Sequence, residues 1–252
     1  MSTYLTTGFV LRMQPWRENA RRYVVFTESY GKVELILAGG QKLVSKLASH
    51  LQPFSEVELM VAPGQKLDYL AGANLRQVYL KPQQNLAATI LASSLLEVVD
   101  MLTQPGQPES NLFTILRDYL IKVEKLPAGS QWRQGARNLL ANFLLEVISH
   151  SGFGPHLKVC EACDRVLDGA VSFNWQDHGF YHQVCLKPGM TTVAVTPATV
   201  AWLAHSTDKS GSQAQDALAF LTDYFQGHVG RELYSLKVLR SILEVCPVIQ
   251  LR

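Results

Sequence analysis

The chain has 252 residues, 47% apolar and 17% charged, the balance of a folded globular protein of one large or two small domains and not of a disordered one. Its apolar runs, such as residues 139–145 broken by Asn142, fall far short of the ~20 residues a membrane span needs. Residues 1–5 show no basic stretch leading into an apolar one, so a soluble cytoplasmic protein without a secretory signal is expected. The net charge of +2 names no partner, but its distribution is uneven: nine Lys/Arg stand against six Asp/Glu in residues 1–80, and seven against nine in residues 160–252. A positive amino-terminal face would attract a polyanion.

Residues 9–13, 23–27 and 33–37 are rich in β-branched and aromatic residues and are separated by Pro15, Trp16 and Gly31, which predicts three strands. Val33, Leu35 and Leu37 alternate with Glu34 and Ile36, the period of a half-buried strand. After Gly39 and Gly40, Leu43, Leu47 and Leu51 recur at helical spacing until Pro53, and strand-like runs follow at 57–61 and 75–80. Three strands, a helix and two strands is the order of an OB-type barrel, which presents a sheet face and loops to oligonucleotides; another small β-barrel shares the pattern.

From residue 85 the period changes. Leu86, Ile90, Leu91, Leu95, Val98 and Leu102 predict one amphipathic helix, Leu112, Leu116, Tyr119, Leu120 and Val123 a second, and Leu139, Leu140, Phe143, Leu144, Val147 and Ile148 a third, closed by Gly152. Pro197 starts a short helix and Ser212 caps another, which carries Leu218, Leu221 and Phe225. Residues 233–245 make the last, with Gly227 and Gly230 breaking the stretch before it. Cys246, in that last helix, reads as a buried apolar residue. The expected architecture is α+β and multidomain: an OB-type barrel in 1–80, a helical domain in 81–155 and 190–252, and a zinc-ribbon-like insert in 156–189.

The insert holds the sharpest chemistry. Cys160 and Cys163, then His182 and Cys185, form two pairs of soft ligands at two-residue spacing with eighteen residues between them. Such pairs converge on one tetrahedral Zn²⁺ without backbone strain, and four protein ligands make the site structural. His178 is the alternative fourth ligand. A redox pair is the other reading of Cys160 and Cys163, but no βαβ pattern precedes them. The deaminase signature, the P-loop and the dinucleotide fingerprint are all missing from the sequence, and none of the seven histidines is linked by sequence to an activated nucleophile, so no enzymatic activity is expected.

Barrel, helices and Cys-pair insert in that order resemble the bacterial recombination mediator family RecO. Gly8-Phe9-Val10-Leu11 and Arg22-Tyr23-Val24-Val25-Phe26-Thr27-Glu28-Ser29-Tyr30-Gly31 are similar to the family's first two strands. Gly39-Gly40-Gln41-Lys42-Leu43-Val44-Ser45 with Leu51-Gln52-Pro53-Phe54 resembles its Gly-Ala-Arg-Lys…Leu-Gln-Pro-Phe signature, with Gln41 where Arg is frequent. Tyr224-Phe225-Gln226-Gly227-His228-Val229-Gly230-Arg231 resembles a late Tyr-Leu…His…Gly-Arg pattern, and His182 stands where the family usually has Cys. The resemblance implies binding of single- and double-stranded DNA, strand annealing, and help in loading recombinase onto DNA covered by single-stranded-DNA-binding protein. It implies RecR and the acidic tail of that protein as partners. Candidate DNA contacts are Arg12, Arg17, Arg21, Arg22, Lys32, Lys42 and Lys46, with Trp16, Tyr23 or Tyr30 to stack bases. Candidate tail contacts are Phe225, Arg231, Lys237 and Arg240, in a groove opened by the break at Gly227 and Gly230. The competing reading is a zinc-ribbon accessory protein of transcription or translation that binds RNA or protein.

Overall fold

A computed structural model describes residues 2–41, 46–129, 131–205 and 212–243. The chain divides into two compact units, Met1–Lys125 with Leu233–Leu236, and Leu126–Glu232 with Lys237–Arg252.

In the first unit, β1 (Tyr4–Trp16), β2 (Ala20–Thr27), β3 (Gly31–Leu37), β4 (Ser55–Ala62) and β5 (Asp68–Val78) close into a barrel in the order β1-β2-β3-β5-β4. Only β3 and β5 pair in parallel. This is the OB-type barrel expected from the strand order. Alternation sorts the side chains: Val10, Tyr23, Val25, Leu35, Leu37, Val57, Leu59, Val61, Leu70 and Ala73 fill the interior. Leu47 and Ala48 of α1 (Lys46–His50) pack against that cluster. The fifth strand begins at Asp68, seven residues before the expected start. Its inward residues Leu70 and Ala73 flank Gly72 and give a weak period, whereas Leu75, the stronger apolar signal, is 39% exposed. Leu80 belongs to the next helix, α2 (Leu80–Gln84).

The outer face of the barrel is partly covered. Asn85 caps α3 (Leu86–Leu102) by accepting the Ala88 N–H, and α4 (Ser110–Lys125) follows. Phe113 of α4 lies 5.0 Å from Phe9 and 5.6 Å from Phe26, ring centre to ring centre. Arg117 grips Glu56 with two bonds, at 2.8 and 3.0 Å. Residues 81–125 therefore share the barrel's unit, where the sequence groups them with the later helices. Aromatic side chains on the outside of β1 and β2 bind them there.

The second unit contains α5 (Gln131–His150), a sheet in the order β7-β6-β8, α6 (Pro197–His205) and α7 (Ser212–Val229). Its strands are β6 (Val171–Asn174), β7 (Gly179–His182) and β8 (Thr192–Val195). Every residue of β6 is buried. Phe173 sits 5.0 Å from Phe180, 5.0 Å from Phe220 and 5.6 Å from Tyr224, so the sheet is fixed to α7 by aromatic packing. The insert thus has more apolar surface than its composition suggests. The helix α7 runs unbroken through Gly227 and stops at Gly230, whose φ is +66°. A helical glycine costs only about 1 kcal/mol relative to alanine, less than the packing of the flanking Tyr224 and Phe225 returns. The last described helix is α8 (Tyr234–Leu243); Cys246 lies outside the described residues. Among the described residues no helix is long and apolar enough to cross a membrane.

Candidate functional site

Two local structures bring the soft ligands of the second unit together. The N–H groups of Cys163 and Asp164 both donate to the Cys160 carbonyl, at 3.3 and 2.9 Å, and Asp164 takes a left-handed φ of +55°, so the chain folds back after Cys163. At the other side β7 ends on His182 and a single turn, Gln183–Cys185, returns Cys185 toward the same point. The three sulfurs and a ring nitrogen of His182 all lie within 4.8 Å of one another. The Cys163 Sγ is 3.5 Å from His182 Nδ1. A tetrahedron with 2.3 Å arms to sulfur and 2.1 Å to nitrogen has edges of about 3.6–3.8 Å, so the donor set fits a metal ion with little movement.

The remaining ring nitrogen also fits. His182 Nε2 lies 3.0 Å from the Val166 carbonyl and 3.1 Å from the Asp168 carboxylate, the outer partners that orient a ligating imidazole. Sequence spacing singles out neither. His178 lies elsewhere, its ring 5.7 Å from Tyr224 and 4.2 Å from His228. Burial opposes ionisation of Cys160, but N–H donors of His182, Ala162 and Cys163 and the Cys163 thiol outweigh it and bring its pKa down to about 6. Burial and the neighbouring Cys163 and Cys160 push Cys185 up to about 11. The hydrogen bond to Cys163 raises His182 against the effect of burial. Four protein ligands close such a site, which leaves no position for a reacting molecule.

The basic candidates of the first unit separate into three groups. Strand alternation would send Arg12 the same way as Val10, into the barrel, but a register shift between them turns it outward. There Arg12 and Lys32 meet Asp100 of α3, at 2.8 and 2.9 Å. Arg22 pairs with Glu34 across β2 and β3 and lies over the Trp16 ring at 5.3 Å. Arg17 and Arg21 flank the β1–β2 turn, and neither has a carboxylate partner among the described residues. Lys42 lies outside the described residues, as does the side chain of Lys46. Of the three aromatic candidates, Tyr23 is fully buried in the barrel and cannot stack a base. Burial pushes its phenol up, against the pull of Arg21. Trp16 is half-buried and Tyr30 is 41% exposed.

Comparison with known proteins extends over nearly all of this architecture. Residues 1–79 match the family model Recombination protein O N terminal, and residues 83–237 match Recombination protein O C terminal. The chain belongs to the RecO family. DNA repair protein RecO of a Synechococcus strain is 28% identical over 252 residues, covering 96% of this chain and 84% of that one. That of Syntrophus aciditrophicus is 26% identical over 258 residues, 96% of each chain, and that of Alkaliphilus metalliredigens 27% identical over 197 residues, 77% of each.

The RecO-like motif at Gly39 has a structural meaning here. Gln41 donates its side-chain amide to the carbonyls of Arg17 and Ala20, at 3.0 and 2.7 Å, and its N–H to Asn19 at 3.2 Å. A Cβ on Gly40 would stand 3.2 Å from that of Arg21 and 3.1 Å from the Leu37 carbonyl, so glycine permits the close approach. The motif therefore pins the basic β1–β2 turn through the hydrogen bonds of Gln41. Of the expected tail contacts, Phe225 is fully buried. It lies on the same α7 stripe as Ala214, Ala217, Leu218 and Leu221, which faces the core, and so it lines no open groove. Lys237 pairs with Glu232 and Arg240 with Asp223 at 2.7 Å, while Arg231 is exposed.

Proposed function

We propose that this RecO-family chain is a DNA-binding mediator of recombinational repair, which anneals complementary strands and assists recombinase loading on DNA coated with single-stranded-DNA-binding protein. The observation that carries the reading is the basic β1–β2 turn, with Arg17, Arg21 and the Arg22–Trp16 pair, on an OB-type barrel in a family whose relatives are named DNA repair proteins. Cationic groups at a barrel end neutralise phosphates and release counterions. Annealing makes and breaks no covalent bond; it requires that repulsion between two strands be screened while their bases stay free to pair. A protein with this role works by holding strands and needs no catalytic group. Three thiolates and an imidazole suit Zn²⁺, which would brace the loop between α5 and β6. RecR and the acidic tail of single-stranded-DNA-binding protein are the expected partners, with Arg231 as the cation available to the tail.

The test is equilibrium binding to DNA oligonucleotides of unrelated sequence at several salt concentrations, with RNA of the same length as competitor. Affinity should fall steeply with salt, differ little between sequences, and survive the RNA. Preferential binding of RNA, or no nucleic-acid binding at all, would overturn the proposal in favour of an accessory role in transcription or translation.

A further inference from the structure

We propose that a cleft at the other end of the barrel from the basic turn receives an unpaired base of a bound DNA strand; this rests on the DNA-binding reading above. The cleft, about 600 Å³, opens between Tyr4 at the start of β1, Tyr30 in the β2–β3 turn and the β4–β5 loop. That volume is within the range of sites that take a small organic group. The eight residues of β2 separate it from the Arg17–Arg21 turn by roughly 25 Å at ~3.3 Å per residue.

The walls fit a flat aromatic guest. The rings of Tyr4 and Tyr30 are 4.1 Å apart, centre to centre, at an interplanar angle of 35°, and Tyr30 leaves 41% of its surface exposed, so a third ring can extend the pair. Most of the charged groups around them are already engaged. Asp68 accepts the Tyr4 hydroxyl and the Gly64 N–H, both at 3.2 Å. Glu34 is paired with Arg22, and Lys32 with Asp100. Lys66 is the exception: exposed on the β4–β5 loop, it has no carboxylate partner among the described residues. The cleft thus offers an aromatic pair and one cation, Lys66, which can offset the charge that Asp68 keeps, since both of its donors are neutral. Burial, then Asp68, pushes the Tyr4 phenol up to about 12, which keeps it a neutral donor. Stacking on such a platform demands a base free of its partner strand, since a paired base has both faces covered by its neighbours. The cleft would therefore favour single strands, whereas the basic turn, which reads only phosphates, would not discriminate.

The experiment uses the full chain and a single-stranded oligonucleotide with a fluorescent adenine analogue, alongside a duplex of the same length. Wild-type protein should quench the analogue on binding. Tyr30→Leu should abolish the quenching and weaken single-strand binding about tenfold, with duplex affinity unchanged, while Tyr30→Phe retains wild-type behaviour. Single-strand binding unaffected by Tyr30→Leu, or equal losses for single strand and duplex, would overturn the cleft and leave the DNA-binding reading in place. Wild-type protein that binds neither would remove both together. Should Tyr30→Leu fail to fold, Lys66→Ala carries the test: the single-strand salt slope should fall by about one unit, and an unchanged slope counts against the cleft.

Discussion

Cys163→Ser is expected to strip the chain of its metal and loosen the region from Cys160 to β8 while the barrel stays folded. The reason is geometric. Cys163 Sγ is the sulfur in contact with His182 Nδ1, and a serine hydroxyl is a poor substitute for a thiolate on Zn²⁺. Structural zinc contributes about 10–16 kcal/mol in small finger peptides that have no other core. Here the loss should be smaller, on the order of 3–5 kcal/mol, because Phe173 and Phe180 keep the sheet on α7 without a metal. Metal analysis should return about one zinc per wild-type chain and almost none for the variant. Hydrogen exchange should accelerate in β6–β8 and α7 and not in β1–β5. Full metal content in the variant, or equal acceleration in both units, would contradict this. Metal-free wild-type protein should also show a defined pH dependence. Cys160, held near 6 in the fold against an ordinary thiol value of about 8.5, adds stability as pH rises from 6 to that value. Cys185, raised to about 11, and His182, also raised, act in the opposite sense, so the metal-free form should lose stability as pH rises above ~8.5.

Replacing Arg17 and Arg21 together by Ala should weaken DNA binding on the order of tenfold at low salt and lower the salt slope by about two units. These two cations lack carboxylate partners among the described residues, so both remain available to phosphates. Arg12→Ala should behave differently, because that guanidinium is already engaged by Asp100 and neutralises less of the DNA. A double variant that binds as wild type, or an Arg12→Ala variant that loses as much, would move the DNA site away from the β1–β2 turn.

Local pattern made much of this molecule legible in the sequence. The barrel's order followed from β-branched and aromatic runs, with alternation in β3, and the helices from their 3.6-residue stripes. The four residues that could hold a metal ion were legible because paired spacing and thiol chemistry constrain one another within a short stretch. What escaped notice depends on distance along the chain. Asp100, which occupies two of the seven expected DNA cations, lies 88 residues from Arg12 and 68 from Lys32, and no period links them. The register shift that turns Arg12 outward is equally silent in a strand rich in apolar residues. Phe225 shows the opposite error: its neighbourhood matches a family motif, but its place on the buried stripe of α7 makes it core.

A chain that brings DNA strands together without chemistry should accelerate strand annealing. Complementary oligonucleotides, one labelled with a donor and the other with an acceptor fluorophore, would be mixed with and without the full chain. The wild-type chain should speed duplex formation severalfold without nucleotide or cleavage of either strand, and the Arg17→Ala, Arg21→Ala variant should lose this acceleration. Annealing at the spontaneous rate by protein that binds both strands, or acceleration that the double variant retains, would contradict this.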